Sequence, residues 1–407
     1  MTDRFHICMI LDQGYPPDLR VENEARSLVE AGFEVTVLSI GPDSRPAEEM
    51  IEGVRVVRPR IPAQVRNKMR GLSGSIPFIE WYVLRQLKRI HRRFPINALH
   101  AHDLYLFGAA LRSGKRLKVP VVGDMHENWV EALRHYKWST TVPGKWVVNL
   151  DRWNELELRW SREVDRLVVV IDEMAERLRE RGLPDDHVCV VPNTIHLDEF
   201  DSWPSDPPST FPEGFPSLIY TGGMDRHRGL EDPIRAMPAI LARWPEAKLV
   251  FVGDGAVRGE LEELCTSLHL GDSVWFAGWQ AQDAVKGFMA KADIGLIPHL
   301  KTQHTDHTIP HKLFHYMHMR LPVLVSNCKP LERIVNASES GKVYSSDRPD
   351  DLVNQLASML ASKEVRERMG ESGHLAVSTT WNWNATAVDL ISMYQELAGP
   401  GESQSAR

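Results

Sequence analysis

Apolar residues in this chain fall into short runs, and the stretches between them carry apolar positions at helical spacing. Residues 5–11 (FHICMIL) read as a strand buried on both faces. Asp12, Gln13 and Gly14 break it. Val21, Ala25, Leu28 and Val29 then follow a helical period, Gly32 ends that helix, and residues 34–40 predict a second strand. Parallel strands need a crossover of this kind, so the unit predicts the start of a doubly wound α/β sheet. The pattern continues with strands near 53–58, 96–101, 120–123, 165–171 and 187–191, and with a helix over 173–181 stopped by Gly182.

A proline-rich stretch, 201–216, interrupts the series. A second βα series starts at Ser217, with strands predicted over 218–221, 248–252, 274–277, 294–297 and 323–325. The last helix covers about 384–398 and places Val388, Ile391 and Tyr394 at helical spacing. The tail after Gly399 is small and polar, and is expected to be disordered. At 407 residues the chain exceeds one compact core. The expected organisation is a Rossmann-like domain over 1–203, a hinge over 204–216 and a second Rossmann-like domain over 217–380. A closing helical segment over 381–398 and a tail over 399–407 complete it.

Composition narrows the function. Apolar content of 43% and charged content of 25% are ordinary for a soluble globular protein. A net charge of -7 argues against a general nucleic-acid binder. Cys8, Cys189, Cys265 and Cys328 are far apart and form no C-x-x-C pair, so they read as reduced residues of a cytosolic protein. The first residues lack a signal-peptide core, and no apolar run approaches the roughly 18 residues of a membrane span. A cytoplasmic location is expected. There is no G-x-G-x-x-G, which counts against an NAD enzyme.

The stretch 294–326 carries the densest chemistry. Strand 294–297 leads through a polar loop into a helix predicted over 308–317, with Thr308 as its cap and Pro310 in its first turn. The exposed N–H groups and dipole of such a helix form a phosphate site, with Lys312, His311 and His315 close by. Earlier, Gly222 and Gly223 permit close backbone approach in a loop that also holds Arg226, His227 and Arg228. Arg228 can fork onto phosphate oxygens; a solvated charged loop is the plainer alternative. Gly14, in the loop after the first strand, fits either a ligand-approaching backbone or a simple turn. His126 ends a strand, where cleft residues gather, and is flanked by Asp124 and Glu127. Six histidines lie between His299 and His318, with His311 and His315 on one helix face. Lys312 stands where H-E-x-x-H needs a glutamate, and only Asp306 adds a carboxylate, so no metal is expected.

These motifs, in this order, resemble the GT-B glycosyltransferases, most closely family four, the retaining nucleotide-sugar-dependent group. Asp18–Val35, Asp124-Met-His-Glu127, Val191-Pro-Asn-Thr194, Tyr220–Glu231, Phe251-Val-Gly-Asp-Gly255 and Pro310–Met317 carry the resemblance over nearly the whole chain. It implies two Rossmann-like doubly wound domains facing across a cleft, and a last helix that crosses back to the first domain. It implies a nucleoside-diphosphate sugar as donor substrate, no permanently bound cofactor and no metal. His126 would lie beside the transferred sugar. Arg228 and Lys312 would stabilise the diphosphate, with Gly14, Gly222, Gly223, Gly253, Thr308, His307, His311 and His315 around the donor. The family has an arginine where this chain has Gly223, and two glutamates where it has His307 and His315. A neutral imidazole can accept a hydrogen bond from a ribose hydroxyl but supplies no fixed negative charge.

Residues 58–93 contain ten Lys/Arg and one acid, Glu80, interleaved with apolar and aromatic residues. Such a segment predicts contact with an anionic membrane surface, here the inner face of the cytoplasmic membrane. Trp146, Trp153 and Trp160 recur every seven residues, a stripe that reads as core packing. The expected activity is retaining hexosyl transfer to a carbohydrate or lipid-linked hydroxyl in envelope polysaccharide or glycolipid synthesis. A nucleotide-sugar 2-epimerase and a non-catalytic nucleotide-sugar-binding partner are the alternatives.

Overall fold

The structure is a computed structural model, and it describes residues 4–16, 18–41, 44–59, 78–126, 128–133 and 149–399. Two compact units divide the chain. Unit 1 holds Met1–Pro192 with Thr386–Arg407, and unit 2 holds Asn193–Ala385.

In unit 1 the elements run β1 (His6–Leu11), α1 (Leu19–Glu30), β2 (Glu34–Ser39), β3 (Glu48–Ile51), β4 (Val54–Val57), α2 (Phe78–Arg93) and β5 (Ala98–His102). There follow α3 (Leu104–Leu117), β6 (Val121–Met125), α4 (Trp129–Ala132), α5 (Leu150–Glu163), β7 (Arg166–Val169), α6 (Asp172–Glu180) and β8 (Val188–Val190). The strands form one sheet in the order β3-β4-β2-β1-β5-β6-β7-β8. All neighbours are parallel except β3 and β4. β1 and β5 are buried at every position, which is why they read as unbroken strands.

Unit 2 contains α7 (Leu197–Ser202), β9 (Ser217–Thr221), α8 (Glu231–Arg243), β10 (Lys248–Val252), α9 (Arg258–Ser267), β11 (Val274–Gly278), α10 (Val285–Lys291) and β12 (Ile294–Ile297). It continues with α11 (Lys312–His318), β13 (Val323–Ser326), α12 (Lys329–Ser338), β14 (Gly341–Tyr344), α13 (Pro349–Met359) and α14 (Lys363–Thr379). Its parallel sheet has the order β11-β10-β9-β12-β13-β14. The strand order reverses between β9 and β12, as it does between β1 and β5 in unit 1. Such reversals open a crevice at the carboxyl ends of the two strands, where ligands of doubly wound sheets bind. A final helix, α15 (Trp383–Ala398), begins in unit 2, and its residues from Thr386 group with unit 1.

Several expectations change. β3 and β14 are edge strands that the pattern did not predict, because Glu48-Glu49 and Lys342 hide their period. The proline-rich 204–216 is not the boundary, which falls at Pro192/Asn193. That stretch packs onto unit 2: Phe211 is buried, and the Pro216 carbonyl accepts from Lys248 N at 2.9 Å. Lys286 Nζ donates to the carbonyls of Phe200 and Asp201, both at 3.0 Å, and so caps the end of α7.

Within the basic segment α2 is amphipathic, but its apolar side is already used. Ile79, Val83, Leu84, Leu87 and Ile90 of α2 are buried in unit 1, and Arg58 is buried with its guanidinium on the Tyr15 and Pro46 carbonyls. Residues 60–77 lie outside the described residues, as do Trp146 and the tail from 400. Trp153 and Trp160 are buried and meet edge to face at 6.1 Å, which is core packing. All four cysteines are unpaired thiols. No described helix is long and apolar enough to cross a membrane.

Candidate functional site

In unit 2 the residues at the β9/β12 reversal make a cationic pocket. Gly222 follows β9 with φ +124, and a Cβ there would stand 2.9 Å from Lys312 Nζ. Gly253, at φ +142, lies behind it, since a Cβ at that position would stand 2.1 Å from the Gly222 carbonyl oxygen. Gly253 therefore supports the loop, whereas the exposed Gly222 and Gly223 form its open side. Lys312 Nζ sits 3.5 Å from the centroid of the Tyr220 ring, a cation–π contact. Arg228 Nη1 lies 3.0 Å from His299 Nε2. The guanidinium can only donate, so that nitrogen of His299 is the acceptor. Burial, then Arg228 and Lys312, hold His299 well below the usual histidine range.

Burial, and then Arg228, likewise hold Lys312 well below the usual lysine range. Arg228 Nε is buried without a hydrogen-bond partner. Among the described residues no carboxylate pairs with either cation. Burial and the Arg228 guanidinium thus oppose the ammonium form of Lys312, and a bound anion removes that cost. Arg226 does not join them, because it pairs with Glu260 at 2.8 Å on the surface.

The helix at this site begins later than the sequence predicts. α11 spans Lys312–His318, and its cap position is His311, whose side chain makes no cap hydrogen bond. Thr308 is extended, at φ -141, after the short turn Thr305–His307, and caps nothing. Pro310 and the turn before it hold the chain out of the helix, so a seven-residue helix takes the place of a longer anion-binding one. The anion site thus rests on side chains more than on a helix start. His307 is buried, with Nδ1 2.7 Å from the Gln303 carbonyl. His315 lies flat on Phe200, with ring centroids 4.7 Å apart, and Trp203 borders it. Burial pushes its pKa down to about 3, so it is a neutral ring. His318 turns to Asp201 at 2.8 Å. His299 and His304 both meet His227 edge to face, and His315 and His318 share the Phe200 ring, so these histidines fall into two aromatic clusters. Gly14 lies in the loop after β1 and is met by Gly41, where a Cβ would stand 2.3 Å from Gly14 N.

In unit 1, His126 follows β6 as expected, and the structure surrounds it with residues the sequence reading missed. Arg20 Nε and Nη2 grip Asp124 at 3.2 and 3.1 Å, Nη1 donates to the Val191 carbonyl at 3.0 Å, and Nε is also 3.0 Å from Glu24. Asp124 Oδ2 accepts from His126 Nε2 at 3.0 Å and lies 3.2 Å from His102 Nδ1. His100 stacks on His102 and meets the Tyr394 hydroxyl at 2.8 Å. Burial alone would strip the proton from His126, but Asp124 and Asp103 outweigh it and raise its pKa to about 9. His126 is therefore an imidazolium at neutral pH, a donor and not a base. Burial raises Glu24 to about 8, while Arg20 and His126 keep Asp124 well below the usual carboxylate range. Glu24, His100, His102 and Asp124 bring potential ligand atoms within 4.8 Å of one another. Arg20 already fills the cation position among them. The signals were in the chain: Arg20 and Glu24 fall on the buried side of α1, and His100-x-His102 aims both rings to one face of a strand.

Unit 2 thus places Arg228 and Lys312 at the reversal point of a doubly wound sheet, where such sheets bind ligands. Residues 17–194 match the glycosyl transferase 4-like domain and residues 201–375 match glycosyl transferases group 1, so the chain belongs to the GT-B glycosyltransferases of group 1. An uncharacterized glycosyltransferase of Methanocaldococcus jannaschii is 25% identical over 403 residues, covering 94% of this chain and 96% of its own length. The fold is similar to sucrose-phosphate synthase from Thermosynechococcus elongatus, with TM-score 0.75 and 19% identity over 97% of this chain and 99% of that one. It is also similar to Anabaena HepE in complex with UDP and glucose, with TM-score 0.69 and 12% identity over 96% of this chain and 99% of that one.

Proposed function

We propose that this glycosyltransferase moves a hexosyl group, with retention, from a nucleoside-diphosphate sugar to a carbohydrate or lipid-linked hydroxyl. The observation that carries this reading is the pair Arg228 and Lys312, two cations beside an exposed diglycine loop without a carboxylate between them. A diphosphate supplies the missing charge, and the same cations stabilise it as it leaves. Unit 1 supplies His126 as a donor that orients the sugar. UDP bound to HepE, a protein of similar fold, favours a uridine nucleotide. The test is thermal shift and donor hydrolysis with a panel of UDP- and GDP-sugars. A ligand at 100 times its Kd stabilises the folded state by about 2.7 kcal/mol. Donor turnover without acceptor is the expected result. Binding without turnover identifies a non-catalytic partner instead, and recovery of an epimerised donor identifies a 2-epimerase.

The reaction serves envelope polysaccharide or glycolipid synthesis at an anionic membrane surface. Trp81 of α2 is 63% exposed, and Arg85, Lys88 and Arg92 are exposed beside it without partners among the described residues. Together with Tyr82 they line a recess of about 650 Å³. Because the apolar side of α2 is buried, attraction to lipid phosphates supplies the binding, at about 1 kcal/mol per basic residue. Replacing Arg85, Lys88 and Arg92 by alanine should weaken co-sedimentation with phosphatidylglycerol vesicles by about 100-fold. Undiminished binding, or equal binding to phosphatidylcholine vesicles, would sink this part of the reading.

A further inference from the structure

Pro298 and His299 directly follow β12 at the reversal point of unit 2, and Arg228 lies in the loop after β9. Gly229, at φ 62, lets these two segments close on each other: a Cβ there would stand 2.0 Å from the Pro298 carbonyl oxygen and 3.1 Å from Leu300 N. Leu300 N donates to the His227 carbonyl at 3.0 Å, and Ser326 Oγ at the end of β13 donates to the His299 carbonyl at 2.6 Å. His299 is thus held from both sides and is 2% exposed. Its Nε2 accepts from Arg228 Nη1 at 3.0 Å, which among the described residues is the only side-chain hydrogen bond that Arg228 makes. Carboxylates match the guanidinium fork and are its usual partners, but they also cancel its charge. The imidazole stays neutral, because burial, then Arg228 and Lys312, then His227 and His304 oppose a proton on it.

We propose that His299 is a positioning residue for the donor: its Nε2 fixes the Arg228 guanidinium in the pocket and leaves the positive charge of that group for a diphosphate. A carboxylate in its place would compete with the phosphate oxygens for the same N–H groups. An aliphatic side chain would leave Nη1 unpaired and the guanidinium free to turn. A neutral acceptor avoids both. The cation is then in place before the phosphates arrive, and less ordering remains to be done on binding. This assignment rests on the reading of Arg228 and Lys312 as the pair that holds the diphosphate.

Three substitutions test it: His299→Gln keeps a neutral acceptor, His299→Glu adds a charge in the same shape, and His299→Leu removes the acceptor. Circular dichroism melts of the full chain would establish folding, and calorimetry the affinity for UDP, GDP and ADP. His299→Gln should bind the tightest of the three nucleotides within about 3-fold of the wild type, and both other variants should bind it about 10–100-fold more weakly. In an Arg228→Ala background, His299→Leu should cost less than about 2-fold further, because it acts through that side chain alone. If His299→Glu does not fold, the contrast of His299→Leu with His299→Gln decides. Wild-type affinity in His299→Leu overturns the assignment, as does a loss in His299→Gln equal to that in His299→Leu. So does a full additional loss in the Arg228→Ala background, which would make His299 a direct contact or a structural support. If Arg228→Ala itself leaves nucleotide affinity unchanged, or the wild-type chain binds none of the three, the diphosphate reading fails and this assignment falls with it.

Discussion

Replacing Lys312 by methionine should lower kcat/KM for donor turnover by about 10²–10³-fold, the range expected for one preorganised group facing a developing charge. Methionine keeps an aliphatic stem over Tyr220 and loses only the ammonium. Arg228→Ala should cost a similar factor and should release the ring of His299, whose neutral state Arg228 helps to impose. Both cations serve the same anion, so the double variant should fall well short of the product of the two losses. Near-normal kcat/KM in either single variant would remove the diphosphate from this pocket. The state of Lys312 adds a second signature. Burial and Arg228 work against its proton in the empty pocket, and a bound diphosphate reverses that balance. UDP binding should therefore take up protons, seen as a calorimetric enthalpy that depends on the ionisation enthalpy of the buffer.

Arg20→Met should destabilise the protein by about 3–5 kcal/mol, because it strands the buried carboxylate of Asp124 without its principal counter-charge. Urea unfolding measures this, and a loss below about 1 kcal/mol would show that the three histidines neutralise Asp124 on their own. The same network makes stability depend on pH in a defined direction. His126 rises from 6.5 to about 9 on folding, and Glu24 rises from 4.5 to about 8. A group that binds its proton more tightly when folded contributes stability below its unfolded value and loses it as pH rises through the folded one. Stability should therefore fall between about pH 4.5 and pH 9, most steeply between about pH 6.5 and pH 8, where both groups contribute. Asp124 has the opposite sign: it is held well below 3.8, so its contribution is present above that value and is lost in acid. His126→Gln should flatten much of the alkaline fall, and an unchanged pH profile in that variant would assign the effect elsewhere.

Much of the fold was legible because parallel strands buried on both faces leave an unbroken apolar run. β10 and β12 were expected over 248–252 and 294–297, and they span those residues. Two of the four edge strands, β3 and β14, escaped, since solvent on one side lets Glu48, Glu49 and Lys342 interrupt the run. Prolines in 204–216 suggested a hinge, but proline restricts a chain whether it is free or packed. Here the neighbouring β10 and α10 give this stretch a surface to lie on. Thr308 and Pro310 fitted the pattern of a helix start, and the chain enters its helix only at Lys312.

Local order along the chain was enough to establish the two βα series, the diglycine loop with Arg228, and His126 at a strand end. Those features depend on neighbours within a few residues, through periodicity, turn chemistry and strand termination. The pairing of Arg228 with Lys312, 84 positions apart, and of Arg20 with Asp124, 104 positions apart, depends instead on strand order. Strand order also brings Asp103 beside His126. Charge state followed from that placement: the carboxylates hold a proton on His126, while desolvation and Arg228 oppose one on Lys312. Neither balance is a property of the residue or its neighbours in sequence, because both depend on burial and on charges that only the folded sheet brings together.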